Sequence, residues 1–232
     1  MAKKKKQKKE KNNIKIVIGL PVWSHLCEST ESSLYSLHGH PYVIGRMKVS
    51  GSLVYEARNE IVAQALDKFP DMTHLLFVDS DMTFGIDHML ALVEAGKDII
   101  GGVACNRQYP WRPCYLNKED DDKYPELINE LKKPFDEQKP YKVKSVGMGF
   151  TLISRKALEK NSNVDGVPSL WFYPQDGKGE DYSFCELAKK NGFDIWIHPS
   201  CQLGHLTDYI VTIRDWIYGQ EEKQREGSGN GG

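Results

Sequence analysis

Two kinds of segment alternate through the first half of the chain, and this alternation constrains the fold more than any other feature. Ile14–Leu20 is a β-branched apolar run that closes at Pro21. Leu53–Phe69 repeats apolar residues at helical spacing through Leu53, Ala57, Ile61 and Ala65, with Val54, Val62 and Leu66 widening the face, and Pro70 stops it. His74–Asp79 is a second short apolar run. Ile86–Ala95 is a second helix, with Gly96 placed to cap its C-terminus, and Asp98–Val103 is a further strand. Short continuous apolar runs suit strands covered on both faces, and the helices between them supply the cover. The expectation is an α/β fold: a Rossmann-like mixed, mostly parallel sheet with helices on both faces. Residues 22–52 are rich in Ser, Gly, His and aromatic residues and yield one strand, Tyr42–Lys48.

The second half changes character. Residues 116–140 are charged and read as a surface excursion with a short helix over Leu127–Leu131. Val143–Ser154 reads as a long strand interrupted by Gly147 and Gly149, where absent side chains would let a ligand approach the backbone. Glu180–Asn191 reads as a helix, Phe193–His198 as the last strand and Asp215–Gln224 as a terminal helix. At 232 residues the chain fits one domain, placed at 13–224 between a disordered basic tail at 1–12 and a flexible Gly/Ser tail at 225–232.

The formal net charge of -1 conceals that basic tail, with Lys3 to Lys6, Lys8, Lys9 and Lys11. Like charges repel and bury nothing, so the run is a solvated tail or a tether to nucleic acid or an anionic surface. No apolar stretch has bilayer-spanning length and no signal-peptide core follows the lysines. The expected location is the cytoplasm of a bacterium or of a virus-infected host cell. Cys27, Cys105, Cys114, Cys185 and Cys201 contain no Cys-x-x-Cys pair and read as reduced packing thiols. The first strand runs into Leu20-Pro21-Val22-Trp23, so neither the dinucleotide-binding glycine turn nor the Walker phosphate loop is present.

Asp79-Ser80-Asp81 lies at the polar end of Leu75-Leu76-Phe77-Val78. Ligands in open α/β sheets gather beyond the carboxyl ends of the strands. Hard divalent cations prefer oxygen donors and often share them with substrate phosphates, so two carboxylates here point to a metal and a phosphorylated ligand. An acidic turn capping the next helix is the plainer alternative.

With Ala57-Arg58-Asn59 on the preceding helix, Gly147-Met148-Gly149-Phe150, Gly179-Glu180-Asp181 and a late Gly204-His205, the order of these motifs resembles the GT-A fold nucleotide-sugar glycosyltransferases, family 2-like, over roughly residues 14–210. The resemblance implies that Asp81 binds Mn²⁺ or Mg²⁺, that Asp79 contacts the donor ribose or the metal, and that His205 completes the metal site. It implies a general base at Asp181, with Glu180 as second choice. It puts Pro21, Arg58, Asn59, Ser80, Arg107, Gly147 and Gly149 around the donor, with Gln108 nearby, and makes Trp111, Trp171 and Phe172 acceptor platforms. His25, His38, His40, His74, His88 and His198 receive no role.

The function so implied is transfer of a hexose or pentose from a nucleoside diphosphate sugar, UDP-linked by preference, to an acceptor hydroxyl. The acceptor classes are a glycan, a protein, a small molecule or a hydroxymethylated base in viral DNA. Three rivals stand. Asp79-Ser80-Asp81-Met82-Thr83 also matches the haloacid-dehalogenase phosphatase signature, with Asp79 as nucleophile, although a full strand and helix precede it. A nucleotidyltransferase would use a related sheet but shows a glycine-rich basic signature after the first strand. A non-catalytic nucleotide-sugar or nucleic-acid binding protein would not need the carboxylates.

Overall fold

The computed structural model describes residues 13–116, 124–164, 167–168, 170–207 and 210–229. In chain order these form β1 (Ile16–Val22), α1 (Glu28–Tyr35), β2 (Val43–Ser50), α2 (Val54–Lys68), β3 (His74–Val78), β4 (Met82–Thr83), α3 (Ile86–Ala95), β5 (Ile99–Val103) and β6 (Tyr115–Leu116). There follow α4 (Pro125–Leu131), β7 (Tyr141–Val143), β8 (Ser145–Val146), β9 (Phe150–Ser154), α5 (Arg155–Lys160), β10 (Asn163–Val164), β11 (Val167–Pro168), α6 (Glu180–Lys190), β12 (Ile195–Gln202), β13 (Gly204–Leu206), β14 (Ile210–Val211) and α7 (Ile213–Gly229).

The central sheet has seven strands in the order β2-β1-β3-β9-β5-β12-β7. β1 pairs in parallel with β2 and β3, and β12 with β5, while β9 runs antiparallel between β3 and β5 and β7 antiparallel to β12. All but β7 and β9 therefore share one direction, giving the mixed, largely parallel sheet of a single-domain α/β fold. Alternate side chains enter two apolar layers. Val17, Leu75 and Phe77 join Ile61 and Val62 of α2 and Phe184 of α6 on one face. Ile16, Ile18, Leu76 and Val78 join Leu34 of α1 and Met89 and Leu92 of α3 on the other. A large apolar side chain fully buried in this way stabilises the fold by about 1.5–3 kcal/mol.

The helix α3 ends as expected, with Gly96 in the left-handed conformation at φ 60°. Several boundaries differ from expectation. β1 continues through Pro21 to Val22, because β3 pairs only as far as Gly19 and Pro21 has β2 as its one strand neighbour. Proline's missing N–H is tolerated at such an edge position. Val143–Ser154 is three short strands rather than one. Gly147-Met148-Gly149 separates β8 from β9, and of these two only β9 enters the central sheet. Within residues 22–52 the structure adds α1, which no sequence signal marked. β12 runs on to Gln202, and α7 reaches Gly229, through residues expected to be a flexible tail. The lysine run at 1–12 lies outside the described residues. Among those described, no helix is long and apolar enough to cross a membrane.

Candidate functional site

The turn after β3 is held from three sides. The Asp79 amide donates to the Gly149 carbonyl at 2.9 Å. From α1 and the residue that precedes it, the Cys27 amide and the Thr30 hydroxyl both donate to the Ser80 carbonyl at 3.0 Å, and the Ser33 hydroxyl accepts from the Phe84 amide at 3.1 Å. The third support is a small sheet, β14-β13-β4. β4 and β13 pair antiparallel with His205 opposite Met82, and the Leu206 amide donates to the Asp81 carbonyl at 2.8 Å. Gly204 permits this approach: a Cβ there would lie 2.2 Å from Thr83 Oγ1 and 2.5 Å from Ile210 Cγ2. The pairing brings His205 beside Asp81 although the two are far apart in sequence.

Asp81 Oδ2 lies 3.4 Å from His205 Nε2 and 3.0 Å from Arg107 Nη1. His205 Nδ1 is 2.7 Å from the Cys105 carbonyl, which can only accept, so Nδ1 carries a proton. A neutral His205 would then aim its Nε2 lone pair at a carboxylate, an arrangement that calls for a proton or a cation between them. Burial opposes charge on His205, but the Asp81 carboxylate, the Cys114 side chain and the Cys105 carbonyl outweigh it and raise its pKa to about 10. Burial likewise opposes ionisation of Asp81, and His205 and Arg107 hold its pKa below the ordinary value. A carboxylate oxygen facing an imidazole nitrogen whose other nitrogen is anchored by a carbonyl fits a divalent cation that accepts both donor types. Among the described residues, no group of three or more His, Cys, Asp and Glu side chains is arranged to hold a metal ion, so the remaining positions would fall to substrate oxygens or water.

A second group of charges is closed. Arg58 of α2 is 3% exposed. Its Nη2 donates to Asp79 Oδ1 at 2.7 Å and its Nη1 donates to Glu180 Oε1, while the Phe77 ring centroid lies 6.0 Å from its Cζ. Burial disfavours the charged guanidinium, yet Asp79 and Glu180 together raise its pKa. Its Nε is buried without a hydrogen-bond partner. Arg58, expected to touch the donor, is thus committed to two carboxylates. Glu180, the second-choice base, is one of them, and its Oε1 is taken by Arg58. Asn59 is also occupied: its amide nitrogen donates to the Phe172 carbonyl at 2.7 Å, and its Oδ1 accepts from the Trp171 and Phe172 amides at 2.9 Å. These contacts tie α2 to the segment leading to α6.

Two adjoining cavities meet at Asp79 and Arg107. The first, about 260 Å³, is lined by Pro21, Trp23, Ser52, Ser80 and Asp81. The second, about 360 Å³, is lined by Gly147, Gly149, Asp181, Cys114 and His205. Asp181 stands in the first turn of α6, and its Oδ1 accepts from the Tyr182 amide at 2.7 Å, so it serves the helix terminus and faces the cavity at once. Gly147 and Gly149 line the second cavity, but they also make room for the protein itself: a Cβ on Gly147 would lie 3.2 Å from the Cys114 carbonyl, and one on Gly149 3.4 Å from Asp79 Oδ2.

Of the expected aromatic platforms, Trp171 and Phe172 are core residues at 2% and 0% exposure. Phe172 stacks on Phe184, and the Trp171 indole donates to the Leu158 carbonyl at 2.8 Å. Conversely, Cys114, read as a packing thiol, touches His205, and Trp23, given no role, lines the first cavity with 79% exposure. A Trp just past a strand that closes at proline was the available signal. Cys105, Cys185 and Cys201 are buried thiols, as expected. His88, given no role, accepts the Gly85 amide at 2.9 Å and so caps α3.

No protein-family profile matches the chain, and no curated protein matches it in sequence. Solved structures do match in shape. The crystal structure of A197 from STIV superposes with a TM-score of 0.58 at 18% identity, covering 84% of this chain and 86% of that one. The crystal structure of GalNAc-T7 with UDP, GalNAc and Mn²⁺ superposes with a TM-score of 0.55 at 11% identity, covering 88% of this chain and 47% of that one. The chain thus has a GT-A-like fold.

Proposed function

We propose that this protein is a glycosyltransferase that moves a sugar from a nucleoside diphosphate donor, UDP-linked, to an acceptor hydroxyl. The observation that carries the reading is Asp81 Oδ2 facing His205 Nε2 at 3.4 Å beyond the carboxyl end of β3, with Asp181 in the adjoining cavity. Asp81 and His205 would hold Mn²⁺ or Mg²⁺, which when bound offsets the charge that develops on the departing diphosphate. The likeness to GalNAc-T7, crystallised with UDP, GalNAc and Mn²⁺, supports the donor class and the metal.

The chain's own residues do the rest. Asp79, which lines both cavities, would orient the donor with the carboxylate oxygen that Arg58 does not hold. Arg107 sits beside Asp81 with 58% of its side chain exposed, where it can contact the diphosphate. Asp181 accepts the proton of the acceptor hydroxyl at a carboxylate oxygen, once that hydroxyl comes within hydrogen-bond reach. The phosphatase alternative asks Asp79 to be the nucleophile, and its ion pair with a buried arginine weakens it for that task. Incubation with UDP-sugars and Mn²⁺ tests the reading. Release of UDP is expected with the parent, loss by about 10²-fold or more with Asp81→Ala, and retained Mn²⁺-dependent UDP binding with slowed transfer for Asp181→Asn. Undiminished turnover in excess chelator would overturn it.

A further inference from the structure

We propose that the loop after β5, residues 106–113, is the acceptor platform, shaped for a neutral carbohydrate and presenting the ring of Tyr109. This rests on the glycosyl-transfer reading and adds the class of acceptor.

The loop is pinned at its base. The Asn106 amide donates to the Arg112 carbonyl at 2.9 Å, and the Arg112 amide donates to Asn106 Oδ1 at 2.7 Å. Cys105 pairs with Pro113 in an isolated antiparallel bridge, and the Cys114 amide donates to the Ala104 carbonyl at 2.8 Å. Trp111, expected to be a platform itself, is half-buried against the core and acts as a pedestal. Tyr109 meets it edge-on, with ring centroids 5.6 Å apart and an interplanar angle of 87°, and stays 74% exposed. An aromatic ring held in water by a pinned loop keeps an apolar face ready for a partner at little entropic cost.

The surroundings select the partner. A trough of about 560 Å³ beside the loop is lined by Asn106, Arg107, Gln108, Cys114, His205 and Thr207, and it shares Arg107, Cys114 and His205 with the cavity that holds Asp181. Its cationic side chains, Arg107 and His205, both lie beside Asp81 and are given by the glycosyl-transfer reading to the diphosphate and the metal, which leaves the Asn106 and Gln108 amides to meet the acceptor. Amides beside an exposed ring suit a polyhydroxylated ligand with an apolar face, whereas a DNA backbone would call for a row of cations and the loop adds only Arg112 to Arg107.

The test titrates the full chain, with and without UDP and Mn²⁺, with neutral di- to tetrasaccharides of glucose, galactose, mannose and N-acetylglucosamine. Binding is followed by saturation-transfer NMR, with a DNA duplex and an unglycosylated peptide as further arms. At least one oligosaccharide is expected to bind, with Tyr109→Ala weakening its Kd about tenfold or more and Tyr109→Phe close to the parent. The melting temperature of Tyr109→Ala is expected to equal the parent's, so that its weaker binding reports the lost ring and not a lost fold. Binding by no oligosaccharide, equal binding by Tyr109→Ala, or binding of the duplex or peptide alone would overturn the proposal. The thermal shift of the parent with UDP and Mn²⁺ reports on the donor site separately, so failure there is distinguishable from failure here.

Discussion

Asp79 and Asp81 stand at the end of the same strand, yet they belong to charge groups built in opposite ways. Asp79 is locked to Arg58, which is buried and also holds Glu180. Asp81 faces His205 and an arginine whose side chain is 58% exposed. The first group is closed around a buried cation. The second has a carboxylate and an imidazole nitrogen turned toward each other and a long, exposed side chain as its other partner, so a cation can enter by displacing a proton and Arg107. Two carboxylates in one short motif are therefore held differently: one oxygen of Asp79 is fixed on a buried arginine, whereas Asp81 meets an imidazole and a long, exposed side chain.

Three variants probe that contrast, the most damaging first. Arg58→Met removes the cation that Asp79 and Glu180 share and leaves two carboxylates in a partly buried setting. A loss of about 3–5 kcal/mol in unfolding free energy is expected in denaturant titration, and a loss below about 1 kcal/mol would break the contrast. His205→Ala should weaken Mn²⁺ binding by roughly tenfold or more, read by calorimetry, and cost less stability than Arg58→Met; equal Mn²⁺ affinity would remove His205 from the site. Arg107→Ala should change stability by no more than about 0.5 kcal/mol, and a large destabilisation would show that the second group is as closed as the first.

Much of the central sheet was legible because burial on two faces writes itself into short apolar runs, and helical cover into a period of about 3.6 residues. The strand leading to Asp79, the helices Val54–Lys68 and Ile86–Ala95 and the cap at Gly96 follow from such local signals. The direction of β9 did not, since an apolar strand between two others reads alike in either direction. α1 escaped notice because its buried residues are Thr30, Ser33 and Leu34, a face with little apolar contrast. Trp171 and Phe172 could not be told from surface platforms, since an aromatic ring serves a core and a binding site equally well.

Local periodicity is enough to set the alternation of strands and helices, and with it the arrival of Asp79-Ser80-Asp81 at the carboxyl end of a buried strand. Which charges meet is a different matter, and it is settled by packing. The β4–β13 pairing sets His205 against Asp81, and the tertiary fold brings Arg58 of α2 between Asp79 and Glu180 of α6. Both arrangements join segments distant in sequence. The energy of an ion pair depends on its distance and its burial, and neither is carried by a linear pattern.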